Sequence, residues 1–279
     1  MSEPENKPLY EKNLYMALLA QQCSRYKEMF TFFLDLIKQR EKEGKSKDLL
    51  PQERELLIFG YISYIKSQRN ALHICMAFET REKKEYNSRI LTYIQNYRKT
   101  IETELTNNIK DITNTFDAVF IKNAENNFSK IYYMKIKADF NRYITEYEKG
   151  IEREKASNTA LKAYQEAMNL TKNMNIMNKI LLGLALNFSI FQYEVIGERK
   201  NAIAIGDDVL QKVDKEMPNF NMDKNDEDYE IIMDIIDKIK INNKKWKIEE
   251  DEQNKIKNLY FFILIISLFN KIKSVINFF

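Results

Sequence analysis

The sequence predicts an all-α protein, and three observations support that prediction. Glycine occurs 6 times and proline 4 times in 279 residues, although these residues form turns and interrupt helices. Apolar side chains recur at intervals of three and four residues along most of the chain, which is the period of an amphipathic helix. No run of alternating apolar and polar residues between turn signals indicates a sheet. Long helices joined by few tight corners should therefore bury a sizeable core.

The first half of the chain contains five predicted helices. The second of them places Met29, Phe33 and Ile37 on one side, and the polar linker EGKSKD follows it. Pro51 opens a long third helix, because proline is tolerated in the first helical turn. The fourth is well charged around YRKTIETEL, and the loop IKNAENNFSK leads to the fifth. These helices cover about residues 10–24, 26–42, 51–80, 83–118 and 131–146.

Four more helices follow in the second half. Ser157 or Asn158 is a candidate N-cap for the first of them, and the second is too apolar to be a surface helix. Gly197 ends that second helix, as a C-cap residue, and Pro218 stops the third. The fourth follows an acidic, Asn-rich loop and reaches the only tryptophan, Trp246. These helices cover about residues 156–172, 180–196, 202–217 and 229–246.

Composition excludes several classes of function. A net charge of +3 is small, and no basic patch is interleaved with aromatic residues, so we expect no nucleic-acid partner. The single histidine, His73, lies in an apolar helical pattern, and no phosphate loop, HExxH motif or nucleophile elbow occurs. We therefore expect no catalytic residues, no metal and no cofactor. Cys23 and Cys75 favour buried thiols in a reducing compartment, and the N-terminus lacks the apolar core of a signal peptide.

The helix 131–146 carries the most informative polar residues. Lys135 and Arg142 lie seven residues apart, two turns along one side, with Asp139 between them and Tyr143 directly after. A lysine, an arginine and a phenol on one face form a set of donors that suits a phosphate. The alternative is a solvated flank with one intrahelical ion pair.

Four blocks of sequence make the prediction specific. They read GLALNFSIFQYE at 183–194, YYMKIKADFNRYITE at 132–146, ERELLIFGY at 53–61 and IETEL at 101–105. On these blocks the chain resembles the 14-3-3 family, from about Tyr15 to Trp246. The resemblance implies about nine antiparallel helices that form a concave groove, with the helices in residues 1–42 forming a dimer. In that family each groove binds phosphoserine or phosphothreonine in an extended peptide.

The resemblance also implies site residues. Arg142 and Tyr143 match the family's phosphate-binding pair, and Arg69 matches the other phosphate arginine. Asn187 matches an asparagine that bonds the backbone of the bound peptide in the family. Asn242 matches a second such asparagine if Trp246 sets the alignment. Aligning Ile231 to Met233 with the family's apolar triplet instead puts Ile239 at that position. The remaining residues matched to the peptide groove are Lys135, Leu186, Ile190 and Glu194.

Two departures from the family pattern affect the phosphate site. The family has a lysine that touches the phosphate seven residues before Arg69, and Ile62 stands there in this chain. The family's second arginine beside Arg69 is Gln68. Lys66 lies one turn along the same stripe as Ile62, so it either replaces the missing lysine or is a surface charge.

The predicted dimer interface is altered as well. A family bridge from Glu28 would end on a lysine that is Thr100 here. Surface pairs contribute only about 0–1 kcal/mol, so apolar contacts should decide whether the dimer forms. The residues matched to the interface are Leu19, Cys23, Arg25, Tyr97 and Glu104.

The tail, residues 251–279, has no counterpart in the family's usual pattern. Its apolar run LYFFILIISLF, residues 259–269, would span about 16 Å as a helix, short of the ~30 Å of a bilayer core. Extending the span to Phe279 places Lys271 and Lys273 inside it. Three interpretations stay open: a membrane-seeking anchor, a segment that folds back on its own subunit or partner, and translated AT-rich non-coding sequence. A phosphorylated Ser274 that reached the groove would be a self-inhibitor.

The expected function is therefore that of a 14-3-3-like adaptor with one domain over residues 1–250. It would clamp phosphorylated client proteins in the cytoplasm, as a homodimer or as a heterodimer with a related chain. The alternative is a divergent structural dimer, or scaffold, that has lost phosphate-dependent binding; Ile62 and Gln68 keep it open. Residues 259–279 add membrane contact as a further expectation.

Overall fold

A computed structural model describes the backbone over residues 9–85 and 88–276, and the side chains over 12–85, 88–257 and 259–261. In those ranges the regular structure is helical throughout, as predicted. The α-helices are α1 (Leu9–Gln22), α2 (Tyr26–Lys42), α3 (Pro51–Lys84), α4 (Ser88–Thr115), α5 (Asn127–Ile144), α6 (Gly150–Leu170), α7 (Lys179–Phe191), α8 (Arg199–Glu216) and α9 (Glu227–Ile276). One turn of π-helix prolongs α4 over Phe116–Ile121, and another prolongs α7 over Gln192–Ile196.

The described residues form two compact units, which divide after Leu170. The first unit contains α1 to α6, and its core is rich in aromatic rings. Tyr61 of α3 stacks on Phe30 of α2 at 3.7 Å between centroids. Tyr61 also meets the edge of Phe116 at 5.2 Å, and Phe116 in turn meets Tyr133 of α5 at 5.9 Å. This chain of rings fixes α3 and α5 within one core, which matters because both helices carry predicted site residues.

The second unit contains α7, α8 and α9. The stretch 179–196 is long and apolar enough to cross a membrane. However, α7 packs against α8 and α9, and Leu182, Leu184 and Phe191 are fully buried, which is typical of a core helix. The ring of Tyr193 stacks on Trp246 of α9 at 4.6 Å. The predicted domain over residues 1–250 stays a prediction.

Several predicted helix ends are correct, and others are displaced. Pro51 begins α3, and Gly197 ends the second π-turn in the left-handed region at φ +82°. The N-cap prediction for α6 is wrong: the helix begins at Gly150, so Ser157 lies inside it and is buried. The fifth helix begins at Asn127 rather than 131, because the side chain of Asn126 accepts a hydrogen bond from the Ser129 N–H at 2.9 Å.

The prediction that both cysteines are buried is wrong for Cys23. Its side chain is exposed, and that of Cys75 is half-buried. The apolar pattern misled here because α1 ends at Gln22, so Cys23 lies in the corner after the helix rather than on its packed face. Both thiols are free.

The last helix is much longer than predicted. α9 runs for 50 residues to Ile276, whereas the apolar pattern predicts an end near Trp246. Beyond Trp246 the helix shows no further buried side chain in its described part, and Leu259, Tyr260 and Phe261 are exposed. The side chains after Phe261, including Ser274, lie outside the described residues.

Candidate anion-binding cleft

Two helices of the first unit position the predicted phosphate residues. Arg69 lies in the middle of α3, and Arg142 and Tyr143 lie in the last turn of α5. The last turn of a helix favours cations, because the unpaired carbonyl groups there carry partial negative charge. Asn126 fixes the start of α5 and the aromatic core fixes its face toward α3.

The two guanidinium groups converge on one carboxylate, that of Glu146. Nη2 of Arg69 lies 2.7 Å from both carboxylate oxygens of Glu146, and Nε lies 3.2 Å from Oε2. Nη1 of Arg142 lies 3.7 Å from Oε1 of the same residue. Cations from α3 and α5 therefore meet around a single anionic group, and its position is where an anionic ligand would satisfy both.

The ring of Tyr143 lies against both arginines. The guanidinium carbon of Arg69 is 3.8 Å from the ring centroid, and that of Arg142 is 4.9 Å away. Such contacts hold the planar cations in place. Burial, together with the negative charge of Asp139, raises the pKa of the Tyr143 hydroxyl. The phenol therefore stays protonated at neutral pH and can donate a hydrogen bond.

A buried carboxylate supports Arg142 from behind. Asp139 is 4% exposed; it accepts a hydrogen bond of 2.8 Å from Lys135 and one of 2.5 Å from the hydroxyl of Tyr164 on α6. Burial by itself would lower the pKa of the Arg142 guanidinium, but Tyr164 and Asp139 outweigh it and raise that pKa. Nε of Arg142 is buried, and no hydrogen-bond acceptor for it occurs in the described part of the chain.

The positions that depart from the family pattern lie on α3. Ile62 is exposed, and so is Lys66, which forms no ion pair with any residue that the structure describes. Gln68 accepts a hydrogen bond of 3.2 Å from the side-chain amide of Asn108 on α4. Gln68 is thus hydrogen-bonded to α4. Lys66 lies near Arg69 on α3 and keeps its positive charge without a described acidic partner.

Comparison with known proteins identifies the family of this chain. The family model for the 14-3-3 protein matches residues 16–247 of the chain. The chain belongs to the 14-3-3 family. It is 33% identical over 227 residues to 14-3-3-like protein B of Nicotiana tabacum. The aligned region covers 81% of this chain and 88% of the tobacco protein. The identity to 14-3-3-like protein GF14 psi of Arabidopsis thaliana is 35% over 212 residues, with 73% and 80% covered. With 14-3-3 protein 2 of Solanum lycopersicum it is 32% over 227 residues, with 81% and 87% covered.

Family membership confirms the predicted all-α 14-3-3 fold and supports an adaptor role. Sequence reasoning had nevertheless missed three residues of the cleft of this 14-3-3 chain. Glu146 could have been found, because it follows Arg142 by four residues within the predicted helix 131–146. Tyr164 carried no such signal, since only the packing of α6 on α5 brings it to Asp139. His73 was placed in an apolar setting, yet it is exposed and lies 3.8 Å from Glu146.

The predicted groove residues of the second unit differ in exposure. Leu186 is buried, Asn187 and Ile190 are half-buried, and Glu194 is exposed. Ile239 is only 2% exposed, whereas Asn242 is half-buried. Of these two residues, only Asn242 can present a polar group at the surface. The alignment set by Trp246, which selects Asn242, is therefore the one that the proposal uses.

The predicted interface residues of the first unit all lie at its surface. Arg25 forms an ion pair with Glu28 within its own chain, so a bridge to another subunit would compete with that pair. The exposed residues at the predicted interface are Leu19, Cys23, Arg25, Tyr97 and Glu104.

Proposed function

We propose that this 14-3-3 protein is an adaptor that binds phosphoserine or phosphothreonine peptides and clamps phosphorylated client proteins in signalling. The observation that supports the proposal is the convergence of Arg69 and Arg142 on one carboxylate beside Tyr143. A phosphate carries nearly two negative charges and three acceptor oxygens. It can therefore accept forked bonds from both guanidinium groups and a further bond from the phenol.

In this mechanism the phosphate displaces the carboxylate of Glu146 from the two arginines. The exchange is favourable because a doubly charged group with three acceptors replaces a singly charged group with two. Lys66 supplies an additional positive charge on the same face of α3, in place of the lysine that Ile62 replaces. Tyr164 and Asp139 raise the pKa of the Arg142 guanidinium and so favour its charged form.

The rest of the peptide would be held by the residues that the family resemblance identified. We propose that Asn187 and Asn242 bond the peptide backbone, which fixes an extended segment without reading its side chains. Leu186 and Ile190 would contact apolar peptide side chains, and the ε-ammonium group of Lys135 and the carboxylate of Glu194 would set the charge of the groove. None of these roles requires a cofactor or a metal, and we propose no catalytic activity.

Titration with a fluorescent phosphoserine peptide tests the proposal. The protein should bind that peptide much more tightly than its unphosphorylated twin, as measured by fluorescence anisotropy. A variant Arg142→Gln should lose the difference. Equal binding of the two peptides would favour the alternative of a structural scaffold, which the exposed Ile62 keeps open.

We further propose that the chain forms dimers with itself or with a related 14-3-3 chain, through the helices in residues 1–42 and the exposed positions Tyr97 and Glu104 of α4. Leu19 and Tyr97 are large, apolar and exposed, so their burial would stabilise a dimer. Leu19→Glu should shift the protein toward monomer in size-exclusion chromatography with light scattering. Ile151→Glu changes an exposed aliphatic position in α6, outside the proposed interface, and should leave the dimer intact.

We propose a cytoplasmic location with membrane contact through residues 259–279. Leu259, Tyr260 and Phe261 expose their apolar side chains where α9 continues past its packed part, and lysines flank the apolar run on both sides. Co-sedimentation with anionic phospholipid vesicles should capture the full chain but not a chain that ends at Asn258. Equal capture of both would remove the tail from the proposal.

A further inference from the structure

We infer that the cleft selects phosphorylated peptides that carry a bulky apolar residue within three positions of the phosphorylated one. The inference rests on the proposed function and concerns the specificity of that same site. It depends on two exposed apolar side chains of α3 on the N-terminal side of Arg69, namely Ile62 and Phe59, which the proposed phosphate contacts leave unused.

Ile62 and Arg69 point to the same side of α3. The helix is continuous over Pro51–Lys84, so residues seven apart lie about two turns apart on one face, roughly 10 Å along the axis. Phe59 lies three residues before Ile62, about one turn further toward the N-terminus and about 60° around the helix from it. The face that presents Arg69 therefore continues into Ile62, with Phe59 at its edge.

Both apolar side chains are uncovered. Phe59 is 53% exposed and Ile62 is 42% exposed, although their neighbours Ile58 and Ile65 are only 3% and 0% exposed. The buried neighbours fill the core side of α3, so Phe59 and Ile62 are available to a ligand. Covering such side chains removes apolar surface from water, which favours binding.

The occupant that fits this surface is a peptide with a phosphate at one end and an apolar side chain at the other. An extended peptide rises about 3.3 Å per residue, so the roughly 10 Å between Arg69 and Ile62 corresponds to about three residues. Ile62 offers neither a charge nor a hydrogen bond, so a polar peptide side chain beside it would gain no partner there. Continuity with the Arg69–Arg142 cleft is what favours this occupant.

A leucine scan tests the inference. The parent is a fluorescent phosphoserine peptide with serine at the three positions on each side of the phosphoserine. Six further peptides each replace one of those serines with leucine. With the full-length protein, leucine should tighten binding about fivefold or more at one or two of the six positions, because part of its side chain becomes buried.

Ile62→Lys should abolish that gain, so that the leucine and parent peptides bind within about twofold of each other. The matched control is Ile74→Lys on the same helix. Ile74 is 58% exposed, and it follows Ile62 by twelve residues, which turns it about 120° away around the helix. The control should keep the leucine gain. The ratio of two affinities is compared within each variant, so any general effect of the new lysine on phosphate binding cancels.

The possible failures are separable. If the parent phosphopeptide and its unphosphorylated twin bind equally, the proposed function fails. If phosphate is required but leucine tightens binding at none of the six positions, or if Ile62→Lys keeps the gain, the specificity inference alone is overturned. If Ile62→Lys, but not Ile74→Lys, changes the oligomeric state in light scattering, Ile62 belongs to a contact between copies and the inference is also overturned.

Discussion

Replacing Arg69 with glutamine is expected to weaken phosphopeptide binding without unfolding the protein. The Arg69 side chain is 22% exposed at the edge of the cleft, and its described polar partner is Glu146. In the variant, Glu146 keeps Arg142 at 3.7 Å and His73 at 3.8 Å. A pair at this degree of exposure contributes about 0–1 kcal/mol, so the melting temperature should change little.

The loss of affinity follows from the bonds that a phosphate would form with Arg69. Hydrogen bonds to charged groups contribute about 1.5–3 kcal/mol, which corresponds to about 10- to 150-fold in the dissociation constant. In the free protein Arg69 already binds both oxygens of Glu146 at 2.7 Å. Binding therefore exchanges the carboxylate of Glu146 for a phosphate. We expect the loss of affinity to lie near the lower end of that range, about tenfold.

Fluorescence anisotropy with a phosphoserine peptide measures this loss. Arg81→Gln is the matched control, because Arg81 is an exposed arginine of α3 that pairs with its neighbour Glu82. Arg69→Lys should bind with intermediate affinity, since it keeps the charge but not the fork. If Arg69→Gln binds as tightly as the unchanged protein, the phosphate does not bind between Arg69 and Arg142, and the reasoning is refuted.

Three further outcomes are expected for the fold. Asp139→Asn should lower the free energy of unfolding in urea by about 2 kcal/mol, because a buried charge that binds Lys135 is lost. The hydrogen bond from Lys83, more than any other group, lowers the pKa of Glu79 below its ordinary value of 4.5. Its stabilising contribution is therefore present above that value and lost as the pH falls through the folded-state pKa. Glu79→Gln should be less stable at pH 7 and lose less stability below about pH 4.5, as measured by urea unfolding across pH. Gly206→Ala should lower the melting temperature, since its new methyl group would overlap the buried amide of Asn243 at a cost of about 1–3 kcal/mol.

Local sequence rules found several helix ends, and they failed where packing or a cap decided the boundary. Pro51 and Gly197 were correct because proline and glycine limit or extend the backbone's own conformations. Ser157 was wrong because a serine at helical spacing can equally be a buried residue inside α6. The predicted end of α9 was too early because it followed the packed face, which ends at Trp246. The helix itself continues, since no break in helix propensity follows Trp246.

The sequence by itself determined the fold class and the family resemblance, and it predicted Arg69, Arg142 and Tyr143 as the phosphate-binding residues. Scarce glycine and proline, helical periodicity and long matching blocks are properties of the chain's order, so they need no coordinates. Only the tertiary structure decided what surrounds those residues. The carboxylate of Glu146 lies between arginines of two helices, and the Asp139 carboxylate bonds a tyrosine from a third. Contacts between side chains tens of residues apart depend on how helices pack, and periodicity along one helix does not encode that packing.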